Sequence, residues 1–200
     1  MRADKVLDPY LRFRVRGQLT APYWRRRMHH FGSGSILDRP DWVFHPDQMS
    51  MGDDVWISRG AWLEIGQPAW ARREPVMRIG NGVVMRHHVT ISAAESVVVE
   101  DDVLIAAWTS IYDSDHTLGA RGNAIWHPQR LAPVRIGRGS WLGERVAVLR
   151  GADIGRHCII GANSVVKGTI PDCSIAVGAP ARVVGSTEDM VGAAAAGTPA

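Results

Sequence analysis

The stretch "IYDSDHTLGA", residues 111–120, places His116 behind Asp113 and Asp115 in a segment with neither helical nor strand periodicity. Histidine titrates near neutral pH, so it can take the proton from a hydroxyl as that hydroxyl attacks. A general-base step of this kind contributes about 10²–10⁴ in rate. A carboxylate on the other ring nitrogen would fix the tautomer and stabilise the imidazolium. Asp113 and Asp115 are the nearby candidates. Asp115 adjoins His116 in the chain and has little room to fold back on it, which favours Asp113. Both aspartates could equally be ordinary turn formers.

The elements that must hold this segment are legible as a rhythm. From Ile136 the chain divides into sixes: IGRGSW, LGERVA, VLRGAD, IGRHCI, IGANSV, VKGTIP. Each opens with Ile, Leu or Val, and Gly follows in four of the six. A period of six is neither 3.6 nor 2, which excludes a helix and argues for a solenoid of stacked strands. One aliphatic side chain per six residues points inward, and small neighbours let the chain turn a tight corner. The same phase extends upstream. Openers fall at Leu37 and Val43, then at Met51, Ile57 and Leu63. They continue at Ile79, Met85 and Ile91, and at Val99, Ile105 and Ile111. Taken in threes they make triangular coils, with the last two at Ile136, Leu142, Val148 and at Ile154, Ile160, Val166. Every break in spacing follows a third opener: 8 residues from Val43 to Met51, 16 from Leu63 to Ile79, 8 from Ile91 to Val99 and 25 from Ile111 to Ile136. Insertions therefore leave one corner of the prism. The long ones are residues 64–78 and 112–135, whose roots lie two coils apart, about 10 Å at strand spacing.

This pattern resembles the hexapeptide-repeat acyltransferases over residues 31–185. The most specific run is "WLGERVAVLRGADIGRHCIIGANSVVKGTIPDCSIAVGAPARVVG". Its closing "GAPARVV" is similar to the end of the coil in sugar O-acetyltransferases of the maltose, galactoside and polysaccharide type. The resemblance implies an all-β fold, a left-handed parallel β-helix of hexapeptide repeats over residues 31–185 with a long catalytic loop; the charge of residues 1–30 marks a basic N-terminal arm before it, and the small, polar stretch 186–200 reads as a flexible tail. The resemblance also implies that His116, at the start of the second long excursion, is the catalytic base. Acyl-CoA would be the donor, lying between two subunits of a homotrimer along the C-terminal coils. Position by position, the matching donor residues are Trp141, Gly143, Glu144, Ala162, Lys167, Gly168 and Arg182. Glu144 replaces a small hydroxyl residue usual in those enzymes, and Lys167 falls one place early relative to a common Thr-Lys pair. Each glycine also reads as a corner that needs tight backbone geometry.

The acceptor side departs further from that family. Where galactoside-type enzymes carry an Asn and an Asp that hold the sugar, this chain has Arg86 and Ala94. The excursions supply Trp70, Arg72, Arg73, Trp126 and His127, aromatic faces that stack on sugar rings and cations that bind hydroxyls or an anionic group. Trp42 and Trp62 share one position a coil apart, Trp56 and Trp141 another, and these four are expected to pack against neighbours or other subunits. The function expected is O-acylation of a sugar, glycoside or polysaccharide-precursor hydroxyl. The alternatives are N-acylation of an amino sugar and a non-catalytic scaffold. Acetyl is the family's usual group, and a medium-chain acyl would need an apolar slot beside the thioester.

Other readings weigh less. Some left-handed β-helix proteins resemble γ-class carbonic anhydrases, which hold zinc through three histidines, two of them close together. Here His116 and His127 are eleven residues apart, and adjacent His87 and His88 would point opposite ways from a strand, so no metal is expected. Cys158 and Cys173 are too few for a disulfide scaffold and are expected to be reduced and structural. Residues 1–30 hold eight basic against two acidic side chains. That arm reads as packed on the end of the domain. Membrane contact through it is the alternative, and no recognition fold accompanies it to make a nucleic-acid binder. No apolar run reaches bilayer-spanning length and the charged start does not read as a secretory signal, so a cytoplasmic location is expected.

Overall fold

The expected openers do stack. A computed structural model describes residues 9–67, 69, 74–118 and 129–190, with the side chains of 9–14 left aside. Its strands pair in register to build the three faces of a prism. On the first face the rungs run Phe31, Met51, Ile79, Val99, Ile136, Ile154 and Ile170. On the second they run Leu37, Ile57, Met85, Ile105, Leu142, Ile160 and Ala176. On the third they run Val43, Leu63, Ile91, Ile111, Val148 and Val166. All these pairings are parallel, so the chain forms a parallel β-helix. Phe31, Ile170 and Ala176 extend the ladders beyond the openers expected from the sequence.

Most strands send a second side chain inward two residues before the opener, as a pleat requires, although His29 and Asp41 at the N-terminal end are exposed there. Val55, Val83, Val89, Val103, Val146 and Cys158 are all fully buried there. Where that place is polar, the neighbouring coil supplies the partner. Thr109 Oγ1 donates to Gly143 O at 3.0 Å, and Ser140 Oγ donates to Gly155 O at 2.9 Å while accepting from Cys158 N. Buried hydroxyls are thus satisfied. Burial pushes the Cys158 thiol up, which keeps it protonated and inert.

The glycine after the opener is explained by the approach of one coil to the next. A Cβ on Gly137 would lie 2.5 Å from the carbonyl carbon of Gly155, a distance no side chain tolerates. The bend itself falls two residues later, at positive φ, on residues such as Asp54, Asp102 and His157. Carboxylates and amides ladder up the same corner, with Asp53 N donating to Asn81 Oδ1 and Asn81 N to Asp101 Oδ1, both at 2.8 Å.

The described structure departs from an all-β fold at its start. Pro9–Arg25 is an α-helix, α1. Gly17, Ala21 and Trp24 share one face of α1 at helical spacing, and Ala21, with Met28 from the turn that follows the helix, joins the core. Gly17 marks the closest approach, because a Cβ there would sit against the Ile36 side chain. Arg16 ties α1 to the buried Asp38 at 3.2 Å. At the other end, Ala181–Ser186 folds back antiparallel on Ser174–Gly178 and closes the second sheet. No helix among the described residues is long and apolar enough to cross a membrane.

Candidate active site

The second excursion leaves the corner between the third and first faces later, and returns earlier, than the expected 112–135, because Tyr112 still pairs on the third face and Val134 and Arg135 already pair on the first. The root of this excursion is a short antiparallel ribbon in which Ser114 pairs with Leu131 and Asp115 with Arg130. His116 follows directly, exposed, with its Nε2 3.5 Å from the side-chain nitrogen of Gln129 on the returning strand. Chain reversal at a fixed corner of a stiff stack therefore sets the histidine at the rim of the prism.

Two aspartates fix that ribbon. Asp113 is fully buried. Its Oδ1 accepts from Ala94 N at 2.8 Å, and its Oδ2 accepts from Glu95 N and Ser96 N, both at 2.7 Å. Its main-chain carbonyl accepts from Ala132 N at 3.0 Å. The carboxylate thus clamps the root of the excursion to the corner one coil below, and three charge-assisted bonds occupy the oxygens that the sequence offered to His116. Asp115 instead takes a hydrogen bond from Arg150 Nε, one coil above. Neither carboxylate touches the imidazole. Arg150 and Gln129 were not singled out by sequence reasoning. Arg150 sits two residues past the third opener Val148, which was the available signal.

The other expected site residues are distributed over the prism. Ala94 lies at the clamp and lends it a backbone amide. Arg86 is exposed on the corner between the second and third faces, a different edge from His116. Gly143, Glu144 and Ala162 come together on that edge one coil apart. A Cβ on Gly143 would meet Ala162 N at 2.7 Å, and Glu144 O accepts from Asn163 N. Lys167 is exposed and Gly168, at φ 83°, turns the same corner as the His116 excursion. Arg182 is exposed on the terminal hairpin. Trp141, nearly half exposed on the second face, borders a groove of about 490 Å³ that Ile159, His157, Cys173, Thr187 and Glu188 also line.

Trp70, Arg72, Arg73, Trp126 and His127 lie outside the described residues. The roots of the two excursions are placed: Leu63 and Ile111 flank Ile91 in one ladder. Trp42 and Trp62 pack on each other, rings stacked at 5.4 Å. His88 stacks on Trp108 at 4.2 Å.

Residues 133–168 match the family model described as bacterial transferase hexapeptide (six repeats). Over 53 residues the chain is 62% identical to a probable acetyltransferase of Mycobacterium tuberculosis, covering 26% of this chain and 18% of that protein. Over 51 residues it is 49% identical to an Escherichia coli protein, WbbJ, named as a lipopolysaccharide biosynthesis O-acetyl transferase, covering 26% of each. The matched segment thus spans about a quarter or less of these relatives. Among solved structures, the N-acyltransferase AntD of Bacillus cereus, in complex with dTDP and 3-hydroxybutyryl-CoA, superposes with a TM-score of 0.68 at 16% identity, over 88% of this chain and 92% of that one. A hexapeptide-repeat acetyltransferase of Vibrio cholerae, complexed with acetyl-CoA, gives 0.58 at 21% identity over 91% and 79%. The repeats at 133–168 are therefore hexapeptide repeats of the bacterial transferase type, carried by a parallel β-helix of the same fold as these acyltransferases.

Proposed function

We propose that this chain is an acyl-CoA-dependent acyltransferase that acylates a sugar hydroxyl, with His116 as general base. The observation that carries the reading is the exposed imidazole at the head of a corner excursion whose root is pinned by Asp113 and Asp115. The acceptor hydroxyl takes the place of the long Gln129 contact at Nε2 and passes its proton there as its oxygen attacks the thioester carbonyl. Collapse of the tetrahedral intermediate breaks the carbon–sulfur bond, and the proton leaves with the coenzyme A thiolate. Gln129 holds the ring until the hydroxyl arrives, since such bonds are often long before substrate binds. Asp113 and Asp115 act on the ribbon and not on the imidazole.

The donor reading rests on the exposed Trp141 beside its groove, on the close-packed backbone at Gly143, Glu144 and Ala162, and on Lys167, Gly168 and Arg182 toward the C-terminal coils. Amides of an extended pantetheine suit backbone groups, and phosphates suit Lys and Arg. The second face supports the homotrimer. Its outward ladder Trp56, Val84, Leu104, Trp141 and Ile159 is apolar throughout, with Leu104 and Trp141 strongly exposed. Such a face calls for cover. A neighbouring subunit would bring Arg86 to the site that its own chain does not reach. The left-handed sense of the coil goes with the family resemblance, and the first excursion, with Trp70, Arg72 and Arg73, is read as a wall of the acceptor pocket beside Trp126 and His127; Glu64, Ile65, Met77 and Arg78, counted into it at 64–78, belong to strands instead.

The name of the Escherichia coli relative favours O-acylation of a polysaccharide precursor. The test is a panel of glycosides and amino sugars offered with acyl-CoAs of several chain lengths, with products read by mass spectrometry. Transfer to hydroxyls supports the reading. Transfer only to amines replaces it with N-acylation, and thioester-independent behaviour throughout would leave a scaffold.

A further inference from the structure

The three outward faces of the prism differ in chemistry. The first carries ion pairs, with Arg135 bridging Glu100 and Asp153 at 2.8 Å each. The second is the uninterrupted apolar ladder described above. The third is neither. At its N-terminal end Trp42 and Trp62 present two stacked indoles, 44% and 41% exposed. The same register continues as Thr90 and Ser110, and the parallel column carries Glu64, Ser92 and Tyr112. Trp62 Nε1 donates to Glu64 Oε2 at 2.8 Å, which fixes the indole plane beside a carboxylate. Tyr112 ends the third-face strand, two residues before the ribbon at Ser114 that leads to His116.

We propose that this third face is an extended glycan-binding track, with the Trp42–Trp62 platform as a distal subsite, so that the acceptor is an oligosaccharide or polysaccharide chain and not a single sugar. The inference rests on the acyltransferase reading above and names its substrate class. Trp42 is stacked on both Phe44 and Trp62, so what these rings offer a pyranose is the surface they leave exposed, and carboxylate and hydroxyl groups bind the sugar's rim. A protein partner would have to desolvate those same hydroxyls and Glu64 at a cost. The apolar second face offers a second copy of this chain a better seat. Three strand spacings separate Trp42 from the Ser110 rung, about 14 Å, so one sugar ring cannot touch both ends. Only a chain of linked sugars reaches from the platform to the ribbon.

Binding is measured without donor, by calorimetry, on fragments of increasing length from bacterial O-chain and capsular polysaccharides, for the wild type, Trp62→Ala and Trp62→Leu. Melting curves and sedimentation accompany each variant. The expected result is tighter binding of longer fragments by the wild type. Both variants should lose about three- to tenfold on long fragments and nothing on monosaccharides, as for removal of one stacking face. Both variants should stay folded with assembly unchanged, and the loss of the Trp42 stack should lower the melting point only modestly, less in Trp62→Leu than in Trp62→Ala. Length-independent binding, or variants that alter assembly while binding long fragments normally, would overturn the track. Because the donor is left out, failure of acyl transfer itself would be seen separately and would count against the enzyme reading alone.

Discussion

Removing the Asp113 carboxylate distinguishes a clamp from a catalytic partner. In Asp113→Ala, the amides of Ala94, Glu95 and Ser96 lose acceptors at 2.8, 2.7 and 2.7 Å. Ala94 is buried and the other two are half-buried, so water replaces the carboxylate only in part. A lost charge-assisted bond with a stranded donor costs about 1–3 kcal/mol, and the three are not independent. A total of about 3 kcal/mol follows, equivalent to a fall of roughly 6–12 °C in melting temperature for a chain of this size. If the ribbon lets go before the stack melts, the loss appears instead as faster hydrogen exchange at amides 94–96. Urea unfolding and exchange are therefore measured together on Asp113→Ala, His116→Ala and the double variant. The clamp predicts the same stability loss from Asp113→Ala in either background, and no loss from His116→Ala alone. Unchanged stability and exchange in Asp113→Ala, with turnover falling as far as in His116→Ala, would refute the clamp and restore Asp113 as the orienter of the imidazole.

On the first face, burial pushes the Glu100 carboxyl up, but the Arg138 amide and the Arg135 guanidinium outweigh it and hold the group below its usual range. A depressed carboxylate stabilises the fold above its unfolded value of about 4.3 and loses that contribution as pH falls through its folded value. Glu100→Gln should accordingly melt lower than the wild type at pH 7, with the gap closing in acid; a gap that widens in acid would contradict the sign. Gly137→Ala should destabilise strongly, since its Cβ would meet the Gly155 carbonyl carbon at 2.5 Å; a melting point within a degree or so of wild type would show that the coils can part there.

The repeat was legible because its cause is local. An opener faces the core once per side, and the coil geometry repeats whatever the loops do, so Leu37 through Val166 could be phased by eye. The placing of insertions followed from the same phase. Contacts made across the insertions were harder to see. Asp113 finds its amides 17–19 residues back, and Asp115 finds Arg150 35 residues ahead. Both distances depend on how many residues the corner excursions hold, which periodicity does not register. The arm at 1–30 was read by its charge, and the arginines scattered through it hid the helical spacing of Gly17, Ala21 and Trp24. Its burial comes from Ile36, a residue that the repeat alone would have left facing solvent.

The central claim is that His116 removes the acceptor proton. Single-turnover transfer from acetyl-CoA to an acceptor found in the panel, followed with His116→Ala beside the wild type at saturating donor, tests it most directly. The account predicts a folded variant that binds acetyl-CoA normally and transfers about 10²-fold or more slowly. A folded variant that transfers at close to the wild-type rate would contradict it.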